Sequence, residues 1–137
     1  MKKINNYISG KQKLSLSKEL LPVFDPSTGE VQAEVVLSNQ EDFNEVLESS
    51  KKGFNQWFDV TPLNRSRILS KYKQLLENNK EELATIVSKE HGKTIEDSKG
   101  SITRGIEVVE FACGIPHLLK GEYSQNVGKN IASWSVR

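Results

Sequence analysis

The chain has 137 residues, 36% of them hydrophobic, enough for one modest core. Nineteen basic residues stand against eighteen acidic ones, a formal net charge of +1, and the two signs are interspersed. That pattern excludes the basic footprint of a nucleic-acid binder or an anionic-membrane binder, and the single cysteine, Cys113, excludes an intrachain disulfide framework.

The opening MKKINNYISG has two lysines but no apolar run behind them, so it is no secretory signal, and no segment approaches the ~20 apolar residues of a membrane span. The expectation is a soluble, cytoplasmic protein in a reducing compartment. Tyr7-Ile8 predicts a short strand running into a turn at Ser9-Gly10-Lys11. Val23-Phe24 and Val31 to Leu37 have strand-like composition and flank Asp25-Pro26-Ser27-Thr28-Gly29-Glu30. That centre has proline, aspartate and glycine where a tight turn needs them, which predicts a hairpin.

Four helices follow. Ser38-Asn39-Gln40-Glu41 has the spacing of a capping box, Ser38 reaching forward and Glu41 back. Phe43, Val46, Leu47, Phe54, Trp57 and Phe58 then fall on one helical face. Thr61-Pro62 places a cap before a proline at the first helical position, ahead of an amphipathic stripe of Ile68, Leu69, Tyr72, Leu75 and Leu76. A third helix, Lys80 to His91, is expected to bury Leu83, Ala84, Ile86 and Val87 and to stop at Gly92. The fourth is capped at Thr94 and runs to about Leu119, about 39 Å if unbroken, with Pro116 bending its last turn. Its apolar residues, among them Ile102, Ile106, Val109, Cys113 and Ile115, cover more than one stripe, so neighbours are expected on several sides.

After Gly121 the helical pattern stops. Asn126-Val127-Gly128-Lys129-Asn130 predicts a turn, and the alternation from Ile131 to Arg137 predicts a strand that ends unfinished. The expectation is a truncated chain. Residues 1–121 form the first, incomplete body and 122–137 a separate extended tail.

Candidate chemistry is sparse. Cys113 sits mid-helix by pattern, without a charged neighbour to lower its pKa, which predicts a buried, inert thiol. His91 borders Gly92 at a helix end, where a cation suits the dipole, and His117 follows Pro116 without an acid partner. Two histidines and one cysteine at these spacings form no metal site. Glu107 and Glu110 are explained by a solvated or interhelical face. The residue that stands out is Arg104, with Gly100 one turn before it and Gly105 beside it. Interior glycines each cost a helix about 1 kcal/mol relative to alanine, so they call for a reason: close approach of another backbone, or room for a ligand. By pattern alone Arg104 pairs with Glu107, contacts Ser101, or meets a ligand.

These residues resemble the amino-terminal part of an aldehyde dehydrogenase. The likeness runs from Asn6 to Arg137, through the turn FDPSTGEV, the helices FNQWFDVTPLNRSRILSKYKQLLENNKEELATIVSKEHGKT and the long helix after them. The superfamily opens with a similar Asn-Pro-Ala-Thr-Gly-Glu turn, then Trp, Pro and Arg-Ile-Leu, then Glu-Asn-Gly-Lys. Within it, Thr103 to Cys113 and Ser133-Trp134-Ser135-Val136-Arg137 most resemble the CoA-acylating methylmalonate-semialdehyde dehydrogenases.

The resemblance implies an α/β fold, of which this chain supplies strand hairpins, four helices packed around the dinucleotide-binding domain, and the start of the oligomerisation ribbon at residues 122–137. It implies thiolate attack on an aldehyde, hydride transfer to NAD, and acyl transfer to CoA with loss of carbon dioxide, giving propionyl-CoA or acetyl-CoA. It implies a small semialdehyde as substrate and a homo-oligomer, a homotetramer, with no nucleic-acid or membrane partner. The catalytic cysteine and the NAD and CoA sites are expected beyond Arg137, so the chain alone is expected to be inactive, and Cys113 does not match the nucleophile's motif. Arg104 matches the long-helix arginine that resembles a clamp for the semialdehyde carboxylate. Two alternatives stand beside this reading: another NAD(P)-dependent branch, such as the succinate-semialdehyde type, and a truncated, non-catalytic interaction module.

Overall fold

The computed structural model describes residues 2–137. In chain order it contains β1 (Lys2–Ile4), β2 (Asn6–Ile8), β3 (Lys11–Lys13), β4 (Leu20–Phe24), β5 (Val31–Val36), α1 (Gln40–Phe58), α2 (Pro62–Asn78), α3 (Lys80–His91), α4 (Ile95–Cys113), α5 (Ile115–Leu118), β6 (Tyr123–Gly128) and β7 (Ile131–Trp134). The mixed α/β class holds, with five helices where the pattern predicted four. Two compact units result: the residues up to Asp59 with Glu81–Gly100, and Val60–Lys80 with Ser101–Arg137.

In the first unit, β5 is the centre of a three-stranded sheet, parallel to β1 and antiparallel to β4. Pro22 lies in β4, on the sheet edge, where a residue without an N–H costs no ladder bond. The predicted turn closes β4 on β5: the Gly29 amide donates to the Asp25 carbonyl at 2.7 Å, and the Ser27 amide to Asp25 Oδ1 at 2.8 Å. Ser9 and Gly10, both at positive φ, form the two-residue turn of the β2–β3 hairpin, of which the pattern foresaw the first strand and the turn.

The cap of α1 sits one residue later than predicted. Asn39 is the N-cap: its Oδ1 accepts from the Glu41 and Asp42 amides at 3.0 Å each, and Asp42 Oδ2 accepts from the Asn39 amide at 2.9 Å. Ser38 is diverted, donating its hydroxyl to Asn6 Oδ1 at 2.8 Å, so Asp42 replaces Glu41 in the reciprocal bond. Asp42 is 4% exposed. The Ser15 hydroxyl and the Leu16 amide also donate to it, tying the β3–β4 connection to the start of α1.

At the far end of this unit α3 stops at His91, and Gly92 takes φ +78 while its amide donates to the Ser88 carbonyl at 2.8 Å. Thr94 Oγ1 accepts from the Asp97 amide at 3.2 Å, capping α4 as expected. Lys99 is shared between Glu81 of α3, at 2.9 Å, and Glu96 of its own helix, at 3.2 Å.

Burial departs from expectation. Ile8, Ala33, Val36 and Ala84 are the buried apolar residues of this unit. Leu83 and Val87 are half-buried, while Ile86 is exposed. The apolar face of α1 has the predicted spacing, yet Phe43, Phe54 and Phe58 are 58%, 65% and 69% exposed. Helical periodicity fixes which side chains share a face; it does not supply the surface that covers them.

In the second unit α2 begins as predicted, with Thr61 as cap and Pro62 in the first turn. It packs against α5. The Ser66 hydroxyl donates to the Cys113 carbonyl at 2.6 Å, and Lys73 bridges Glu77 at 3.1 Å and Glu110 of α4 at 3.3 Å. Ile106 is the buried apolar residue of this unit. The long helix does not run on to Leu119 with a bend. It ends at Cys113, Gly114 intervenes, and Pro116 falls in the first turn of a new helix, α5. A continuous helix would drive the Pro116 ring into the Ala112 carbonyl and lose a hydrogen bond, whereas the first turn of α5 tolerates it.

The tail is a two-stranded antiparallel ribbon pairing Tyr123 with Trp134 and Gly128 with Ile131. β6 extends through most of the predicted turn, which shrinks to Lys129-Asn130. The register shifts between Ser124 and Gly128, where Asn126 takes φ +59. The predicted strand from Ile131 to Arg137 stops at Trp134. Beyond it the Ser135 amide donates to the Glu122 carbonyl at 2.9 Å. A Cβ on Gly121 would overlap the Ser135 carbonyl oxygen, so glycine is required at that close approach.

Candidate functional site

Arg104 sits midway along α4, within the second unit, and is exposed. Of the two contacts weighed from sequence, the structure shows Ser101: Arg104 Nη2 donates to Ser101 Oγ at 3.1 Å, one helical turn away. Residues three apart on a helix face each other, so this bond needs only the local backbone to form. Glu110, on the same helix, is engaged by Lys73 of α2, the interhelical role expected of it.

Beside Arg104, a Cβ on Gly105 would meet no heavy atom within 4 Å. Among the described residues, then, no backbone packs on Gly105. Of the two reasons offered for an interior glycine, close packing is not met at Gly105 among the described residues, and open surface next to the guanidinium is what remains there.

The guanidinium is permanently charged and presents five N–H donors in a planar fork. Its partner here is a neutral hydroxyl, which orients the group without compensating its charge. Chemically the arrangement can bind and orient a carboxylate.

The other candidates lie at helix ends. Cys113 is the last residue of α4 rather than a mid-helix residue, and half-buried rather than buried. Ser70 Oγ lies 3.6 Å from its Sγ, and its carbonyl is held by Ser66. His91 and Lys89 occupy the last turn of α3, where cations offset the helix dipole, and His117 is exposed in α5. Among the described residues no cluster of His, Cys, Asp or Glu could hold a metal ion. No helix among them is long and apolar enough to cross a membrane.

The perturbed ionisable groups lie in the fold's joints. The Ser15 hydroxyl, more than any other donor, holds the Asp42 carboxyl below the usual carboxylate range, with the Asn39 amide adding to it. Hydrogen bonds that Lys73 donates to Glu77 and Glu110 raise its pKa, those that Lys99 donates to Glu81 and Glu96 do the same, and the bond Glu48 accepts from Lys51 lowers that of Glu48. Asp42 serves capping, Lys73 and Lys99 pair helices, and Glu48 with Lys51 is an exposed pair within α1.

The model of the aldehyde dehydrogenase family matches residues 14–137. Among curated proteins, malonate-semialdehyde dehydrogenase of Pseudomonas aeruginosa is 45% identical over 113 residues, which cover 82% of this chain and 23% of that protein. Malonate-semialdehyde dehydrogenase 1 of Geobacillus kaustophilus is 43% identical over 134 residues, 98% of this chain and 28% of that protein. Among solved structures, a provisionally named methylmalonate-semialdehyde dehydrogenase from Sinorhizobium meliloti, complexed with NAD, superposes with a TM-score of 0.92 at 42% identity, over all of this chain and 28% of that one. The chain thus spans 23–28% of the length of these relatives.

Proposed function

The chain belongs to the aldehyde dehydrogenase family, and from that premise we propose that it is the amino-terminal part of an NAD-dependent, CoA-acylating malonate- or methylmalonate-semialdehyde dehydrogenase. The observation that carries the branch is identity above 40% to two proteins named for malonate semialdehyde, one of them along nearly the whole chain.

In this reading Arg104 receives the carboxylate of the semialdehyde, donating two roughly parallel charge-assisted hydrogen bonds to its oxygens. Holding the end of the substrate remote from the aldehyde fixes the direction in which the reacting carbon points. The exposed guanidinium, its Ser101 contact and the open surface at Gly105 support this role. Residues 122–137 begin the ribbon through which subunits of a cytoplasmic homotetramer associate.

For NAD and CoA the described residues offer no fitting cradle. The β5–α1 connection, Leu37-Ser38-Asn39, contains no glycine to let a backbone approach a diphosphate. Both cofactors enter through the family likeness, and no step is assigned to them from these residues.

The test is steady-state turnover of the complete enzyme carrying this segment, with malonate, methylmalonate and succinate semialdehydes, with and without CoA. Acyl-CoA formation from the first two, dependent on CoA, is expected. Release of a free acid without CoA, or preference for succinate semialdehyde, overturns the assignment.

A further inference from the structure

We propose that Ser101 is a positioning residue for substrate specificity: its hydroxyl holds the Arg104 guanidinium in the orientation that accepts a carboxylate. The inference rests on the assignment of Arg104 as the carboxylate clamp and extends it to a second residue. Three observations combine. Arg104 is exposed on α4, so without a tether its long side chain would sample many rotamers, an entropy lost on binding. Ser101 Oγ accepts from Nη2 at 3.1 Å, selecting among those rotamers before any substrate arrives. Ser101 is itself half-buried, which restricts the freedom of the tether at its own end.

The chemistry of the tether matters as much as its position. A hydroxyl accepts one N–H and leaves the positive charge uncompensated. An acid in its place would hold the guanidinium more tightly but would also offer it an anion in competition with the substrate. Serine therefore orients the fork while leaving its attraction for a carboxylate intact.

The experiment compares Ser101→Ala, Ser101→Thr, Arg104→Leu and the Ser101→Ala/Arg104→Leu double variant in the complete enzyme. Each is assayed with malonate semialdehyde and with propanal, which has no carboxylate. Alanine is the better helix former, so the intrinsic propensity of α4 does not fall in Ser101→Ala. Expected is a rise of about 3- to 10-fold in KM for malonate semialdehyde, the size of one hydrogen bond, with propanal within twofold of wild type. Threonine restores the wild-type KM. In the double variant the alanine adds nothing to Arg104→Leu, because both act on one contact.

Equal losses for both aldehydes in Ser101→Ala mean a merely structural serine and overturn the proposal. So does an unchanged semialdehyde KM in Ser101→Ala while Arg104→Leu raises it, an outcome that leaves the clamp standing. If Arg104→Leu itself fails to discriminate the two aldehydes, the clamp assignment falls, and the proposal with it.

Discussion

Gly92 stands directly against Pro26: a Cβ built on the glycine would lie 3.0 Å from the Pro26 Cγ and 3.3 Å from its Cβ. The glycine that ends α3 and the proline of the β4–β5 turn therefore define a single joint within the first unit. Gly92→Ala meets two penalties there, the left-handed φ of +78 and the proline ring. A loss of about 1–2 kcal/mol is expected from the backbone alone. In a Pro26→Ala background, which removes the Cγ and keeps the Cβ, the loss should shrink towards that backbone part. Urea unfolding of the four variants of the cycle measures both.

Asp42 makes the same unit acid-sensitive. Its folded pKa is depressed by the Ser15 hydroxyl and the Asn39 amide, so its stabilisation is fully present above the unfolded carboxylate value, about 3.9. That stabilisation is lost as pH falls below this value and through the folded pKa. Asp42→Asn removes this contribution, so its unfolding free energy should change less steeply than wild type below about pH 4. Asn39→Ala, the other half of the box, should cost about 1 kcal/mol. Denaturation monitored from pH 7 to pH 2.5 separates the two effects.

Arg104→Leu should discriminate substrates by charge. Loss of charge-assisted hydrogen bonds, about 1.5–3 kcal/mol, corresponds to about a 10- to 150-fold fall in kcat/KM for malonate semialdehyde. Propanal should change less than threefold. Parallel kinetics on the two aldehydes check this, and an equal fall in both would assign Arg104 a structural role.

Cys113→Ala should leave turnover within twofold of wild type and leave inactivation by iodoacetamide unchanged. The thiol's surroundings, the Ser70 hydroxyl and the end of α4, place it at a helix joint. Abolished turnover in this variant would make Cys113 the nucleophile and reverse its reading here.

Gly121→Ala should detach the ribbon. The new methyl would overlap the Ser135 carbonyl, and relieving the overlap breaks the bond between the Ser135 amide and Glu122. A cost of about 1–3 kcal/mol is expected. Sedimentation of the complete enzyme should show a smaller assembly, while Gly105→Ala, with open space around it, should sediment as wild type.

Sequence carried the local grammar of this fold well. Thr61-Pro62, His91-Gly92 and the Asp25–Glu30 turn each encode their geometry in residues next to one another, so pattern suffices. It failed where two local signals compete. Ser38 and Asn39 are both good caps, and the choice was made by Asn6, a residue 32 positions earlier that takes the Ser38 hydroxyl. Gly114 and Pro116 both interrupt helices, and the break fell at the one that lets the other begin a new first turn. Burial was the least legible property, because the faces of α1 and α2 have the right spacing but only partial cover among the described residues. At the candidate site the sequence offered Arg104 two partners at i−3 and i+3. Only side-chain placement could choose Ser101 and so expose a neutral tether.

The register shift in β6 has a consequence for how this segment avoids misassembly. Tyr123, Val127, Ile131 and Trp134 are all well exposed on a two-stranded ribbon, the kind of edge that captures stray strands during synthesis. A flat edge of that composition would template amyloid-like stacking. Asn126, in its left-handed conformation, breaks the run of evenly spaced backbone groups midway along β6 and adds local twist. A regular strand approaching that edge meets an interrupted ladder.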